Sequence, residues 1–457
     1  MHGLSPIADG SPPVSAGPDE QSGGEVIEAC FNRILDAFLM TDDRAPVAVA
    51  LSGGGDSVAL LHLADAWARR HGRDLAVLTV DHGLQVASSD WAMACARLSR
   101  DLGRPHSILT WQGPKPASGL PAAARAARHG LLAEAVRSLG GRVLLLGHTA
   151  DDLAEGQAMR AAGSTLPDPR TWSPSPAWPE GRGLFLLRPL LAVRRQALRD
   201  WLVGRDLSWI EDPANQDVRY ARARARSAIA DTGREVGRPG ETAESIETWA
   251  GAAPPDLATA VERAAGLLVL PRSLSTRALA AACLCASGGV RPPRREQLSG
   301  VMARLARPGP VTATLAGARL EAEGDRLWIM REAGEFRRLP IVPLALPQYG
   351  TTIWDGRFEL APTDRQATLR PLAGQARRLP PEQQARLRTL RPAARLALPV
   401  LQDSVGGWTC PILAAHPPVS LQSLVLARFW SAMGQIQREA DMPGAGRHGK
   451  LAGDDLC

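Results

Sequence analysis

Several residue types are scarce in this chain of 457 residues. Lysine occurs only at Lys115 and Lys450, so arginine supplies the other 51 of the 53 basic residues. The six cysteines are scattered and form no CxxC pair, which excludes a disulfide-stapled scaffold, a zinc ribbon and a dithiol redox site. Reduced thiols predict a cytoplasmic location. Because aromatic residues make up only 4% of the chain, alanine, leucine and valine are expected to build the core.

The chain also shows no sign of a targeting or membrane segment. Residues 1–24 are rich in proline, glycine and serine and lack the apolar core of a signal peptide, so they are expected to form a disordered extension. The longest uncharged stretch, 404–427, contains three prolines and is not expected to span a membrane. The formal net charge of +6 permits an anionic partner without proving one.

Short apolar runs alternate with amphipathic stretches between residues 25 and 162, which predicts an α/β fold with a parallel sheet covered on both faces. Three polar clusters directly follow predicted strands: SGGGDS at 52–57, DHG at 81–83 and HTADD at 148–152. Ligand sites in such sheets lie at the carboxyl ends of the strands. The three clusters are therefore expected to meet at one edge of the sheet.

The remainder of the chain gives a weaker pattern. A loop rich in proline and serine is predicted at 163–183, and an arginine-rich helix from about 218 to 230. Residues 245–307 are rich in alanine and leucine in a helical pattern, and short β-like runs follow after 310. These segments predict a helical region and then a smaller α+β region.

The SGGGDS segment is predicted to bind phosphate. Its residues are Ser52, Gly53, Gly54, Gly55, Asp56 and Ser57. The glycines let the backbone approach an anion, and the following helix offers unpaired N–H groups and the positive end of its dipole. A carboxylate at Asp56 would repel phosphate unless a cation lay between them, so Asp56 is expected to hold Mg²⁺.

In this context the loop resembles the pyrophosphate-binding loop of the N-type ATP pyrophosphatases, the PP-loop superfamily. Five ordered segments are similar to the signatures of the tRNA(Ile)-lysidine synthases: VDHGL at 80–84, HTADDLAE at 148–155, RPLL at 188–191, WIEDPANQD at 209–217 and YARARAR at 220–226. The resemblance implies an adenine nucleotide α-hydrolase-like catalytic domain at 25–230, a helical tRNA domain at 245–330, and a tRNA-binding or accessory region at 331–457.

The resemblance also implies a reaction. In this family of C–N ligases, ATP adenylates the C2 carbonyl oxygen of the wobble cytidine in the CAU anticodon of tRNA(Ile), and the ε-amine of L-lysine then displaces AMP. It implies that Asp152 and Glu155 bind the lysine ammonium group, and their spacing places both on one helix face. Two surface carboxylates favoured by the helix dipole are the alternative. His148 is expected among the catalytic residues, with a structural role left open.

Arginines are the expected contacts to tRNA. Arg125 and Arg128 match paired arginines of the family, and the run near 220 contributes Arg219, Arg222, Arg224 and Arg226. Phosphate contacts from such residues would supply most of the non-specific affinity, although a solvated helix face is the alternative. A second basic stretch, 370–395, would grip tRNA or form a flexible surface segment. Whether the C-terminal third clamps tRNA or forms a homodimer is left open.

Some residues depart from the family pattern. Gln85, His129 and Gly156 stand where arginine, tyrosine and threonine are usual, and Pro121 where an acidic residue is common. Two other functions are alternatives to lysidine formation. A tRNA thiolation enzyme of the same superfamily would need sulfur-handling cysteines, and a nucleotide-binding module without chemistry would not need an acidic pocket beside phosphate.

Overall fold

The computed structural model describes residues 18–85, 87–164, 168–211, 224–226, 229, 261–263, 266–338, 342–363 and 366–443. These residues fall into two compact units. The first is drawn from within Met1–Ser175, Gly183–Trp249 and Arg438–Cys457, and the second from within Pro176–Arg182 and Ala250–Gln437. The predicted division at 330 is therefore not a boundary between the units.

A parallel sheet forms the centre of the first unit, as the alternating pattern predicts. Within the described residues, its strands pair in the order β3-β2-β1-β4-β6-β5, and every pair is parallel except β5 with β6. The strands are β1 (Val47–Ala50), β2 (Leu75–Asp81), β3 (His106–Thr110), β4 (Val143–Leu145), β5 (Trp172–Pro174) and β6 (Phe185–Leu187). Strand β5 lies inside 163–183, where the sequence predicts only a loop, because a three-residue strand leaves too short a pattern to detect.

Helices alternate with these strands. They are α1 (Pro18–Phe38), α2 (Gly55–His71), α3 (Ser88–Asp101), α4 (Leu120–Ser138), α5 (Ala150–Ala161) and α6 (Arg195–Val203). Helix α1 begins at Pro18, inside the predicted disordered extension, of which residues 1–17 lie outside the described part. Helix α2 packs deeply, with Trp67 fully buried, and it ends at His71, where Gly72 follows as the cap with a φ of 66° that favours glycine. In the described ranges no helix is long and apolar enough to cross a membrane.

The second unit is built from small antiparallel sheets and helices. Its sheets, within the described residues, have the orders β7-β8-β11-β10-β9, β12-β15-β16-β17 and β13-β14-β18. The strands are β7 (Val261–Arg263), β8 (Leu267–Pro271), β9 (Val311–Leu315), β10 (Ala318–Glu323), β11 (Arg326–Arg331), β12 (Leu344–Ala345), β13 (Thr352–Trp354), β14 (Phe358–Leu360), β15 (Ala367–Pro371), β16 (Pro399–Asp403), β17 (Trp408–Thr409) and β18 (Leu421–Ser423). The α-helices are Thr276–Ser287, Arg295–Leu305, Glu335–Arg338, Pro381–Thr389, Pro392–Arg395 and Val425–Met433. The stretch 245–330 thus contains strands beside its helices, and β8 was not predicted.

The basic stretch 370–395 is folded into the second unit. Arg391 donates to Glu321 over 2.8 Å, and its guanidinium lies 3.5 Å from the centre of the Trp328 ring. Arg395 donates through Nε to the carbonyl oxygen of Leu390 over 2.9 Å. These guanidinium groups stabilise the unit itself, which contradicts the alternative of a merely flexible segment.

A buried ion pair joins residues 438–443 to the rest of the first unit. Arg73 and Glu439, whose side chains are 1% and 2% exposed, are joined by bonds of 3.1 and 3.2 Å. Glu439 also accepts a hydrogen bond of 2.8 Å from the backbone N–H of Met40, and Arg73 donates to the carbonyl of Ala45 over 2.9 Å. Each charge is thereby matched by several partners, as burial of an ion pair requires.

We expect Glu439→Gln to lower the free energy of unfolding of the first unit by about 3 kcal/mol, because Arg73 would keep a buried charge without a counter-ion. Urea unfolding followed by circular dichroism measures the change. Asp441→Asn, on the same short helical turn but with a 34% exposed side chain, is the matched control and should cost far less. Equal losses in the two variants would contradict this account.

Candidate active site

The glycine loop lies between β1 and α2, and hydrogen bonds of its two serines fix its conformation. The backbone N–H of Ser52 donates to Ser57 Oγ over 3.2 Å, and Ser57 Oγ donates to the carbonyl of Gly54 over 2.8 Å. Gly53 has a φ of 85°, a conformation that other residues rarely adopt. The loop therefore turns sharply into α2, whose N-terminus favours an anion.

A later segment of the chain packs on this loop. The backbone N–H of Ile210 donates to the carbonyl of Gly53 over 2.9 Å. A Cβ atom added at Gly53 would lie 2.6 Å from Cδ1 of Ile210, and one added at Gly55 would lie 3.6 Å from the ring of Trp209. The close approach of Ile210 therefore constrains Gly53, whereas a Cβ atom at Gly55 would make only an ordinary van der Waals contact with Trp209.

Helix α5 presents two buried carboxylates. Its first turn is closed by a capping box, in which Asp152 Oδ2 accepts from the backbone N–H of Thr149 over 2.8 Å and from its hydroxyl over 3.1 Å. Glu155 lies three residues further along the same helix face and is only 2% exposed. The spacing that the sequence showed therefore places both carboxylates in the protein interior, and not on a solvated surface.

Arg195, at the start of α6, connects these carboxylates to the glycine loop. Its Nε donates to Asp56 Oδ2 over 2.9 Å, its Nη1 to Glu155 Oε1 over 3.0 Å, and its Nη2 lies 3.6 Å from Asp152 Oδ1. The backbone N–H of Arg195 donates to Asp151 Oδ2 over 2.7 Å, which anchors the main chain. We call Asp56, Asp152 and Glu155 the acidic triad. One guanidinium contacts all three members.

The topology explains this convergence. Asp56 follows β1, the pair on α5 follows β4, and Arg195 follows β6. Strands β1, β4 and β6 are adjacent and parallel, so their carboxyl ends meet at one edge of the sheet.

The pKa values of the site reflect burial and this charge network. Burial raises the pKa of Asp56, the positive charge of Arg195 lowers it, and the charges of Asp152 and Asp151 raise it further. For Arg195, burial is the largest single effect and lowers the pKa, but Asp56, Asp152 and Glu155 together outweigh it and raise the pKa above its ordinary value. The guanidinium is therefore permanently charged, and it stabilises the ionised form of Asp56.

A cleft of about 220 Å³ opens beside Arg195. It is lined by Asp151, Ala154, Glu155, Arg195, Gln196, Arg199, Arg226 and Ile229. Arg226 donates through Nε to Glu155 Oε1 over 2.9 Å, although the sequence placed it with the tRNA contacts. Arg224 is exposed, and Arg219 and Arg222 lie outside the described residues.

Three arginines lie close enough to His129 for their charges to act on it, and so does His148. The arginines are Arg125, Arg128 and Arg188. Burial, followed by the charges of Arg128 and Arg125, lowers the pKa of the His129 imidazole to about 3, so this side chain is neutral at working pH. Burial and the same two arginines lower the pKa of Arg188 to about 10. Such a group favours an anionic ligand such as phosphate.

The structure brings part of the predicted site together. Asp56, Asp152 and Glu155 meet around Arg195, Arg226 contacts Glu155, and His148 lies between β4 and α5. Arg195 itself was missed, because in a chain with 51 arginines no spacing or composition signal distinguishes it from the others. Among the described residues, no group of three or more histidine, cysteine, aspartate or glutamate side chains could hold a metal alone.

The cysteines do not resemble a sulfur-transfer site. Cys283 and Cys285 lie in the core of the second unit, at 0% and 1% exposure. Burial raises the pKa of both thiols to about 12, so neither is a nucleophilic thiolate. These observations contradict a thiolation function based on this pair.

Comparisons with known proteins identify relatives of this chain. Residues 27–232 match the family described as PP-loop domain. The chain is 45% identical over 412 residues to the tRNA(Ile)-lysidine synthase of Caulobacter vibrioides, covering 89% of this chain and 97% of that protein. It is 36% identical to the tRNA(Ile)-lysidine synthase of Mesorhizobium japonicum, over 83% of this chain and 88% of the relative. Among solved structures, the U34-tRNA thiolase NcsA of Methanococcus maripaludis aligns at 15% identity with a TM-score of 0.40, over 50% of this chain and 79% of that one.

We expect Gly53→Ala to destabilise the loop by at least about 1–2 kcal/mol, since a positive φ is costly for alanine and its Cβ would overlap Ile210. Binding of inorganic pyrophosphate, measured by calorimetry, should weaken strongly. Gly54→Ala is the control, because Gly54 has an ordinary φ of −72° and its Cβ would meet only Ser52 Oγ, at 3.9 Å. Similar binding by the two variants would show that Ile210 does not constrain the loop.

Proposed function

Because this chain belongs to the tRNA(Ile)-lysidine synthase family, we propose that it is a C–N ligase that uses ATP to join L-lysine to C2 of the wobble cytidine in the CAU anticodon of tRNA(Ile). The products are lysidine, AMP and pyrophosphate. The observation that carries the proposal is the acidic triad, which lies directly beside a phosphate-binding loop. Phosphate binding alone would not require carboxylates there, whereas a cationic amino acid would.

In the first step the glycine loop binds the phosphates of ATP. The backbone N–H groups at the N-terminus of α2 supply donors to the anion. The C2 carbonyl oxygen of cytidine then attacks the α-phosphorus, and pyrophosphate leaves with the electrons of the broken P–O bond. The neighbouring cations Arg125 and Arg128 are suited to holding the phosphates of ATP or of the anticodon loop.

The residues of this loop fit a magnesium ion. Mg²⁺ prefers oxygen ligands and is usually held by one or two carboxylates together with substrate phosphates, so Asp56 suffices as the ligand from the protein. When bound, the ion would neutralise negative charge on the phosphates.

In the second step Asp152 and Glu155 bind the side chain of lysine. The ε-amino group of free lysine has a pKa of about 10.4 and arrives protonated, so the buried carboxylates attract it. The amine needs its lone pair for attack on C2, and one carboxylate or a phosphate oxygen accepts the proton. The new C–N bond then displaces AMP, which takes the electrons of the C2–O bond.

Binding of tRNA is assigned to arginines. Arg224 is exposed, which suits contact with a phosphate backbone, whereas Arg226 contacts Glu155 and would help to set the charge of the lysine pocket. Contacts of Arg219 and Arg222 with tRNA remain predictions, as does binding of tRNA by the second unit. The acidic triad and Arg195 come from one chain, so the proposed chemistry does not need a homodimer.

Incubation of the protein with ATP, Mg²⁺, radiolabelled lysine and total bacterial tRNA tests the function directly. We expect labelled lysidine after nucleoside analysis, and no label when ATP is omitted. Asp56→Asn, which removes the proposed magnesium ligand, should abolish pyrophosphate release. Release at the wild-type rate by that variant, or an absence of lysidine with the wild-type protein, would contradict the proposal.

We expect Glu155→Gln to raise the KM for lysine by tenfold or more while tRNA-dependent adenylation continues. The physical reason is the loss of a charge-assisted hydrogen bond, worth roughly 1.5–3 kcal/mol. Release of pyrophosphate and lysine incorporation are measured separately. Glu134→Gln, an exposed position on α4, is the matched control. Loss of adenylation with an unchanged lysine KM would instead assign Glu155 to the magnesium site.

A further inference from the structure

Arg195 occupies the oxygens that the proposed reaction needs for other cations. Its guanidinium contacts Asp56, the proposed ligand of Mg²⁺, and also Asp152 and Glu155, the proposed ligands of the lysine ammonium group. A protein cation and a substrate cation held on the same carboxylates would repel each other strongly in this partly buried site. Lysine and the guanidinium therefore compete for the same carboxylates.

The geometry allows the side chain to move while the backbone stays in place. Asp151 holds the backbone N–H of Arg195 at 2.7 Å, so the start of α6 is fixed. The side chain itself is 18% exposed and lines the cleft of about 220 Å³, which gives the guanidinium room to leave the acidic triad. Two of its three carboxylate contacts are hydrogen bonds near 3 Å, and the third is a longer ion pair of 3.6 Å.

We propose that Arg195 is a displaceable internal counter-ion, which holds the acidic triad together in the empty site and competes with lysine for it. This inference rests on the function proposed above. In the empty protein, Arg195 contacts all three carboxylates and so offsets their mutual repulsion. When lysine binds, its ammonium group takes the contacts to Asp152 and Glu155, and the guanidinium moves into the cleft.

Competition of this kind has a measurable consequence. If the guanidinium occupies the triad nine-tenths of the time, the apparent affinity for lysine is about tenfold weaker than the intrinsic affinity. Removing the guanidinium should therefore tighten lysine binding. An arginine that instead served as a fixed part of the lysine site would have the opposite effect.

Calorimetric titration of lysine into the full chain and into Arg195→Gln tests the proposal. We expect the Kd for lysine to fall about tenfold in the variant. Arg199→Gln is the control, because Arg199 lines the same cleft but pairs with Glu211 at 2.9 Å. Its Kd should equal that of the wild type.

An unchanged or higher Kd in Arg195→Gln, with normal binding by the wild type, would overturn the inference and leave the proposed function intact. If the wild-type protein and both variants failed to bind lysine, the proposed function would fail with it. The two failures are thus distinguishable.

A second measurement applies if Arg195→Gln does not fold. The Nε–Hε signal of Arg195 in the NMR spectrum of the wild-type protein can be assigned by its loss in Arg195→Lys. We expect this signal to shift as lysine is added, because the hydrogen bond to Asp56 is broken. A signal that stays unchanged at saturating lysine would overturn the inference.

Discussion

The contact of one guanidinium with three carboxylates is the interaction on which the rest of the site depends. Asp56, Asp152 and Glu155 come from the helices that follow β1 and β4, and Arg195 comes from the helix that follows β6. Three neighbouring carboxylates that are partly or fully buried would repel one another unless a cation lay among them. Arg195 supplies that cation, and the adjacency of β1, β4 and β6 supplies the geometry.

This arrangement links the two halves of the proposed reaction. The same side chain contacts Asp56 in the phosphate loop and Glu155 in the pocket assigned to lysine, so a change of charge at either end alters the partners available at the other. Ile210 and Trp209 pack against Gly53 and Gly55 of the loop. The loop is therefore constrained both by a later segment of the chain and by the charge network.

The sequence predicted much of this site but not all of it. The glycine loop, the acidic pair and the parallel sheet each leave a local signal, namely a strand, a polar cluster and a helix spacing. Arg195 leaves none, because its role comes from the pairing of β4 with β6, which no local pattern reveals. The strands β5 and β6 are only three residues each, and β8 lies in a stretch whose leucines fit a helix equally well. In each case long-range pairing decided the structure.

A double-mutant cycle on the free energy of unfolding tests the central interaction most directly. The cycle combines Arg195→Gln and Glu155→Gln in the full chain, with urea unfolding as the measurement. Each single variant leaves a charged partner in a buried site, so the two losses of unfolding free energy should not add. The double variant should lose less than the sum of the two single losses, by at least about 1 kcal/mol. Additive losses, within about 0.5 kcal/mol, would show that Arg195 does not hold the acidic triad together.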